Sequence, residues 1–404
     1  MSATLHWIMF QRVFGYGTTR ARKIMDIIGT PSKLIEASIS DAQGTKLFTA
    51  NELTLLRKRE ELQNEAEKTL EAALKLNCKV LTPDSDGYPQ RLRDIYSPPS
   101  VLYVLGSLDG LDEAPAIGMV GTRRNTDYGK RVADDLARQL VARGVTIVSG
   151  LATGIDTISH TATLKAGGRT VAVLGNGPDI NYPAANRELR ELIIKNGGAV
   201  ISEFPPGESP YPFHFPIRNR IISGLSLGVV VVEGTRHSGS LITAGHAVTQ
   251  DRDVFAVPGN IYSPMSQATN WLISQGATPV TCGRDIVEQY PYISFLPDPE
   301  EGEAQVAFDI HEPTVYNEQK KPKTPKPSAK AAPPKTQDKS AEIPEYLSEN
   351  QRKVLMQLSR QPITSDAIAA ETGLSVHTIL SSLTQLEIFG FAETCSGRRF
   401  IRKI

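Results

Sequence analysis

Cysteine is scarce in this chain. Three residues in 404, Cys78, Cys282 and Cys395, lie far apart and form no CxxC pair. That spacing argues against a disulfide framework and a zinc knuckle, and a reducing cytoplasm fits it. Net charge is missing too, since 44 Lys and Arg balance 44 Asp and Glu. Global electrostatics therefore do not mark a nucleic-acid binder, and any basic surface must be local. No apolar run approaches the ~18 residues of a membrane span. The opening MSATLHWIMFQRVFG lacks the basic start and apolar core of a signal peptide. A cytoplasmic location without membrane contact is expected. GxxxxGK[ST], HExxH and a GxGxxG after the first strand are absent as well. A P-loop nucleotidase and a zinc protease are thereby disfavoured. No metal, cofactor or catalytic residue is expected.

Three globular parts and one linker remain: 1–75, 76–292, a linker at 293–342, and 343–404. The first part reads as helical. Its Phe14-Gly15-Tyr16-Gly17 turn enters a basic helix and resembles the hairpin of helix-hairpin-helix and SAM-like domains. Such hairpin amides either meet phosphates or simply join two helices. The linker is acidic and then Lys/Pro-rich (KKPKTPKPSAKAAPPK), so it cannot pack a core. In the last part Ser348 and Gln351 form a capping box, Gly373-Leu374-Ser375 makes a tight turn, and a hairpin follows. That order resembles a winged helix. The outward positions of its third helix (His377, Thr378, Ser381, Ser382, Gln385) carry no cation. This favours protein interaction over DNA reading there.

Between 80 and 290, short apolar runs alternate with amphipathic segments. The strands expected are 116–120, 146–148, 170–174, 199–202, 229–232, 254–257 and 278–281. Most lack period-two alternation, as when helices cover both faces. The expected fold class is α/β, a doubly wound, mostly parallel sheet.

In such sheets ligands sit beyond the carboxyl ends of the strands. Gly121-Thr122-Arg123 follows the first run, and Ser149-Gly150 the second. Gly175-Asn176-Gly177, Tyr182 and Asn186 follow the third. Beyond the fourth, Pro216 is expected to open a helix carrying Arg218, Asn219 and Arg220. Ser238-Gly239-Ser240, with Thr243, starts another helix after the valine run. Glycines let backbone approach an anion, and each helix start favours negative charge by about 0.3–2 kcal/mol. Arginine adds a bidentate fork. Several such loops along one sheet edge point to a binder of phosphates. Tyr182 and Phe213 are candidates for stacking on bases, while Phe215 is expected to pack in the core. Asp156 and His160 are either a pair at the site's edge or packing residues. Glu203 and Glu233 are expected to hold Arg218 or Arg220 in place rather than act as bases.

In this order, VGTRR, SGLATGIDTISH, VAVLGNGPDINYP, ISEFPPG, FPIRNRIISGLS, VVVVEGTRHSGSLITAGHAV and VFAVPG resemble the DprA family, also called Smf. The resemblance covers about 80–285 closely and the flanks loosely. It implies a Rossmann-like domain that binds single-stranded DNA without catalysis. SAM-like N-terminal and winged-helix C-terminal domains would flank it. It also implies RecA loading, natural transformation and a homodimer. Its phosphate contacts would fall on Gly121, Thr122, Arg123, Ser149, Gly150, Asn186, Arg218, Asn219, Arg220, Ser238, Gly239, Ser240 and Thr243. Two positions depart from the pattern: Thr161, where members often carry Lys or Arg, and Ala268, where Gly is usual. The competing readings are a phosphoribohydrolase-like enzyme using Glu233 and a transcriptional regulator acting through 343–404. The first lacks the PGGxGT motif of such enzymes.

Overall fold

Val229, Val230 and Val231 are fully buried in a computed structural model of the chain. The structure describes residues 2–36, 48–296, 347–359, 361–388, 391–395 and 399–403. The chain divides into two units, 1–301 and 302–404.

The first unit is built on a nine-stranded sheet. In chain order its strands are β1 (Lys79–Leu81), β2 (Leu102–Gly106), β3 (Ala116–Val120), β4 (Thr146–Ser149), β5 (Thr170–Leu174), β6 (Ala199–Ser202), β7 (Gly228–Val231), β8 (Asp253–Ala256) and β9 (Thr278–Pro279). Their order across the sheet is β1-β2-β6-β5-β4-β3-β7-β8-β9. From β6 to β9 all neighbours are parallel. The expected Rossmann-like sheet is therefore present. β7 and β8 begin and end one residue early, and β9 is only two residues long. β1 and β2 were not anticipated; they add an antiparallel edge.

Helices pack both faces. Helix Asp127–Ala142 begins where the Thr126 side chain accepts the Gly129 N–H, and it buries Ala133, Leu136, Ala137 and Leu140. Burying one such leucine contributes about 1.5–3 kcal/mol. The chain reverses direction across the sheet between β3 and β7, the topological switch where ligands bind in this architecture.

The N-terminal helices Ala3–Phe14, Ala21–Ile28, Pro31–Glu36, Ala50–Arg57 and Arg59–Lys75 share a core with the sheet. Phe10, Ile24 and Ala66 cluster with Val101 and Tyr103. The Gly17 N–H donates to Glu203 Oε1 at 3.2 Å, and the Tyr16 ring meets Phe204 edge-on. The hairpin amide thus meets a carboxylate of the same chain rather than a phosphate. Ile293 and Phe295 pack on the sheet's core, so ordered chain extends past the expected linker start at 293. The linker from 297 onward lies outside the described residues.

The second unit holds helices Glu349–Gln357, Ser365–Thr372 and Val376–Ile388 with β10 (Ile363–Thr364), β11 (Ala392–Cys395) and β12 (Arg399–Arg402). The capping box at Ser348 is formed, and Gly373 takes the left-handed φ of 68° that ends the second helix. Val354, Leu355, Ile368, Ile379, Leu383 and Leu386 make the core of this winged helix.

Candidate nucleic-acid interface

The loops after β6, β5, β4, β3 and β7 lie side by side in that order, because the strands do. Where β3 and β7 part, a cavity of about 310 Å³ opens. Gly121, Thr122 and Arg123 line one side; Ser238, Gly239, Ser240 and Thr243 line the other. Helix His214–Gly224 supplies Phe215, Arg218 and Asn219 between them. A smaller cavity of about 90 Å³, toward β5, shares Arg123, Ala152, Phe215 and Arg218 and adds Gly150 and Tyr182.

Two guanidinium groups flank one ring. Arg123 is exposed and stands 5.2 Å from the Phe215 centroid; Arg218 lies 5.9 Å from it. Tyr182 tilts against the same ring at 5.7 Å. Arg218 is buried. Its Nη1 donates to the carbonyls of Gly150 and Val173, and its Nε to Asn219 Oδ1. Burial pulls its pKa down to about 10, Asp156 raises it and Arg123 lowers it. It remains a cation at neutral pH. Asn219 Nδ2 donates to the Gly239 carbonyl, tying this helix to the β7 loop. Helix Ser240–Thr249 starts at Gly239, where the Ser238 hydroxyl accepts the Ser240 N–H at 3.4 Å, and Ser238, Gly239 and Ser240 bring its positive end to the cavity wall.

Close approach explains the glycines. A Cβ on Gly121 would sit 2.6 Å from Ile155, and one on Gly150 2.7 Å from the Arg218 guanidinium.

Several expected contacts face elsewhere. Ser149 is fully buried and donates to the Met119 carbonyl at 2.6 Å. Asn186 donates to the Leu151 carbonyl and Thr157 Oγ1, bracing the loop after β4 from behind. Arg220 pairs with Glu203 at 2.6 Å beneath the hairpin. Phe213 stacks on Tyr211 instead of lining either cavity. Thr161 bonds back to Thr157 within its helix. Phe215, expected in the core, is half-buried at the centre of both cavities. Its i,i+3 spacing to Arg218 was the available signal.

Three buried carboxyl groups lie around the site. Asp156 accepts the Gly150 and Ala152 N–H groups at 3.2 and 3.3 Å, so these loop amides already have a partner. Burial raises its pKa, against Arg218 and those amides. It does not pair with His160, whose Nδ1 meets Thr170 Oγ1 at 2.7 Å. Glu203 holds Arg220, as expected. Glu233 holds no arginine: it accepts the Thr126 N–H at 2.9 Å and the Thr126 hydroxyl at 2.6 Å. It secures the start of helix Asp127–Ala142 beside the Arg123 loop.

The run Gly224-Leu225-Ser226-Leu227-Gly228 fits G-x-S-x-G, but it leads from a helix into a strand, the reverse of a nucleophile elbow. Ser226 is fully buried and donates to the Ile222 carbonyl. Among the described residues no three His, Cys, Asp or Glu gather closely enough to hold a metal. No described helix is long and apolar enough to cross a membrane.

Residues 79–291 match the family described as DNA recombination-mediator protein A, and 326–398 match the DprA winged helix domain. The Smf protein of Synechocystis is 38% identical over 83% of this chain and 82% of its own. The DNA processing protein DprA of Bacillus subtilis is 44% identical over 55% of this chain and 75% of its own. The X-ray structure of DNA processing protein A from Streptococcus pneumoniae aligns with a TM-score of 0.61 at 33% identity, covering 72% of this chain and 98% of that one. By its motifs, its sheet and these relatives, the chain belongs to the DprA/Smf family of DNA recombination mediators.

Proposed function

We propose that this protein holds single-stranded DNA along the edge formed by the β6, β5, β4, β3 and β7 loops, catalyses no reaction, and presents the strand to the RecA recombinase. One observation carries the reading. Arg123, Arg218 and the start of helix Ser240–Thr249 converge on one cavity, with the Phe215 ring 5.2 and 5.9 Å from the two cations. Cations beside an aromatic ring suit a phosphodiester chain with unpaired bases. Gly121, Thr122, Arg123, Arg218, Asn219, Ser238, Gly239, Ser240 and Thr243 hold phosphates; Phe215 and Tyr182 contact bases. Ser149, Asn186 and Arg220 shape the loops from behind, and Gly150 leaves room for the Arg218 guanidinium. The engagement of Glu233 with Thr126 supports a binding role over a phosphoribohydrolase-like one.

The protein acts in the cytoplasm as a homodimer. Ile261, Tyr262 and Trp271, all in the segment that joins β8 to the short edge strand β9, are exposed apolar side chains of the kind a second copy could cover. A mobility-shift assay with single- and double-stranded oligonucleotides, with and without RecA, tests the proposal. Preference for single strands and a supershift with RecA are expected. Equal affinity for duplex, or release of free base from nucleotides, would overturn it.

A further inference from the structure

Tyr211 and Phe213 stack on each other with centroids 5.6 Å apart and planes 10° from parallel. Tyr211 is 48% exposed. Neither lines the cavities described above. We infer that this ring pair is a separate subsite that stacks a base of the bound strand beyond the cation-lined cavity. The inference rests on the single-strand reading and extends it.

The place is right for it. The pair sits on the loop after β6, the last loop of the ledge. That loop is sewn to its β5 neighbour: the Gly177 N–H donates to the Glu208 carbonyl, and the Gly207 N–H to Asp179 Oδ1, both at 2.8 Å. Phe213 immediately precedes helix His214–Gly224, so a single residue, His214, separates it from Phe215 in the cavity. Four inter-strand gaps make the ledge about 19 Å long, room for about five nucleotides at the stacked rise of 3.4 Å.

The chemistry is right too. Residues 204–213 read FPPGESPYPF, with four prolines and neither Lys nor Arg. This loop cannot counter a phosphate, so what it offers a strand is ring surface. Proline fixes φ, which limits how far the loop can move. His214 is buried behind the pair and meets Tyr211 and Phe213 edge-on, at 84° and 74°. The platform is therefore set before a ligand arrives, and little conformational freedom is lost on binding.

The test is a fluorescence-anisotropy titration of a labelled oligonucleotide of about 20 nucleotides with wild type and Tyr211→Ala. Loss of one stacked base should weaken binding about tenfold. The salt dependence should not change, because no phosphate contact is lost. The same oligonucleotide made with abasic sites throughout should bind both proteins alike. Tyr211→Trp should keep wild-type affinity and add a fluorescence change on binding, which also checks that the loop tolerates substitution. Wild-type affinity in Tyr211→Ala, or an equal loss on the abasic strand, would overturn the subsite and leave the cavity reading standing. Failure of wild type to bind any single strand would overturn both.

Discussion

Arg218 Nη1 donates to the Gly150 carbonyl at 2.7 Å, and a Cβ on Gly150 would lie 2.7 Å from the same guanidinium. The glycine is required by the arginine rather than by its own backbone. Arg218 cannot swing aside freely, because it is buried and bonded to two carbonyls. Gly150→Ala should therefore destabilise the fold by about 1–3 kcal/mol through overpacking and weaken single-strand binding as well. Thermal melts and an anisotropy titration check both. Wild-type values in each would refute the contact's importance.

Arg123 and Arg220 should separate cleanly. Arg123 is exposed over Phe215; Arg220 is buried against Glu203. Arg123→Ala should leave the melting temperature alone and reduce the magnitude of the slope of log affinity against log salt by about 0.7. Arg220→Met strands a buried carboxylate and should cost about 3–5 kcal/mol of stability. If Arg220→Met instead changed the salt slope at unchanged stability, its internal role would be wrong.

Glu233→Gln tests what that carboxylate is for. A neutral amide cannot accept both the Thr126 N–H and hydroxyl through charged oxygens. A loss of about 1–3 kcal/mol in stability is expected. Single-strand affinity should change little, since neither cavity is lined by Glu233. A folded variant that lost a measurable nucleotide-cleaving activity would mark an enzyme.

His160 sets a pH dependence. Thr170 Oγ1 donates to the Ile147 carbonyl, so it accepts from His160 Nδ1–H. That leaves the buried Nε2 without a partner, and protonating it would bury an unmatched charge. Burial, then Arg218, lowers the pKa from 6.5 to about 3. The unfolded chain takes up this proton first. Stability from this group is therefore present above 6.5 and lost as pH falls toward 3, by at most about 1.4 kcal/mol per pH unit. Burial of Asp156 acts in the opposite sense above its ordinary 3.8. The clean comparison is wild type against His160→Asn, which keeps an amide donor where Nδ1–H stood. Melting temperatures between pH 6.5 and 4 should fall less steeply in the variant; parallel curves would refute the assignment.

Much of this was legible from residue order. Central parallel strands are bare apolar runs, and six of the seven expected ones match to within one residue at each end. β1 and β2 escaped because three- and five-residue antiparallel edge strands carry little pattern. Gly121 to Arg123, Arg218 and Ser238 to Thr243 were visible as small residues and cations just past strand ends. Side-chain direction was not. Arg218 and Arg220 are two residues apart on one helix, about 200° around it, so both cannot face one cavity. Ser149 and Asn186 have the right chemistry and bond to carbonyls instead. Glu233 is adjacent to Arg-bearing segments in sequence order, yet its partner is a helix-capping threonine.

The Asp156 carboxyl occupies the amides of the Gly150–Ala152 turn. An arriving strand therefore finds that socket already plugged and must dock on the outer rim, where Arg123 and the start of helix Ser240–Thr249 stand. A ligand held at a rim leaves without prising backbone apart. That geometry suits a rack, from which cargo can be lifted, rather than a vice.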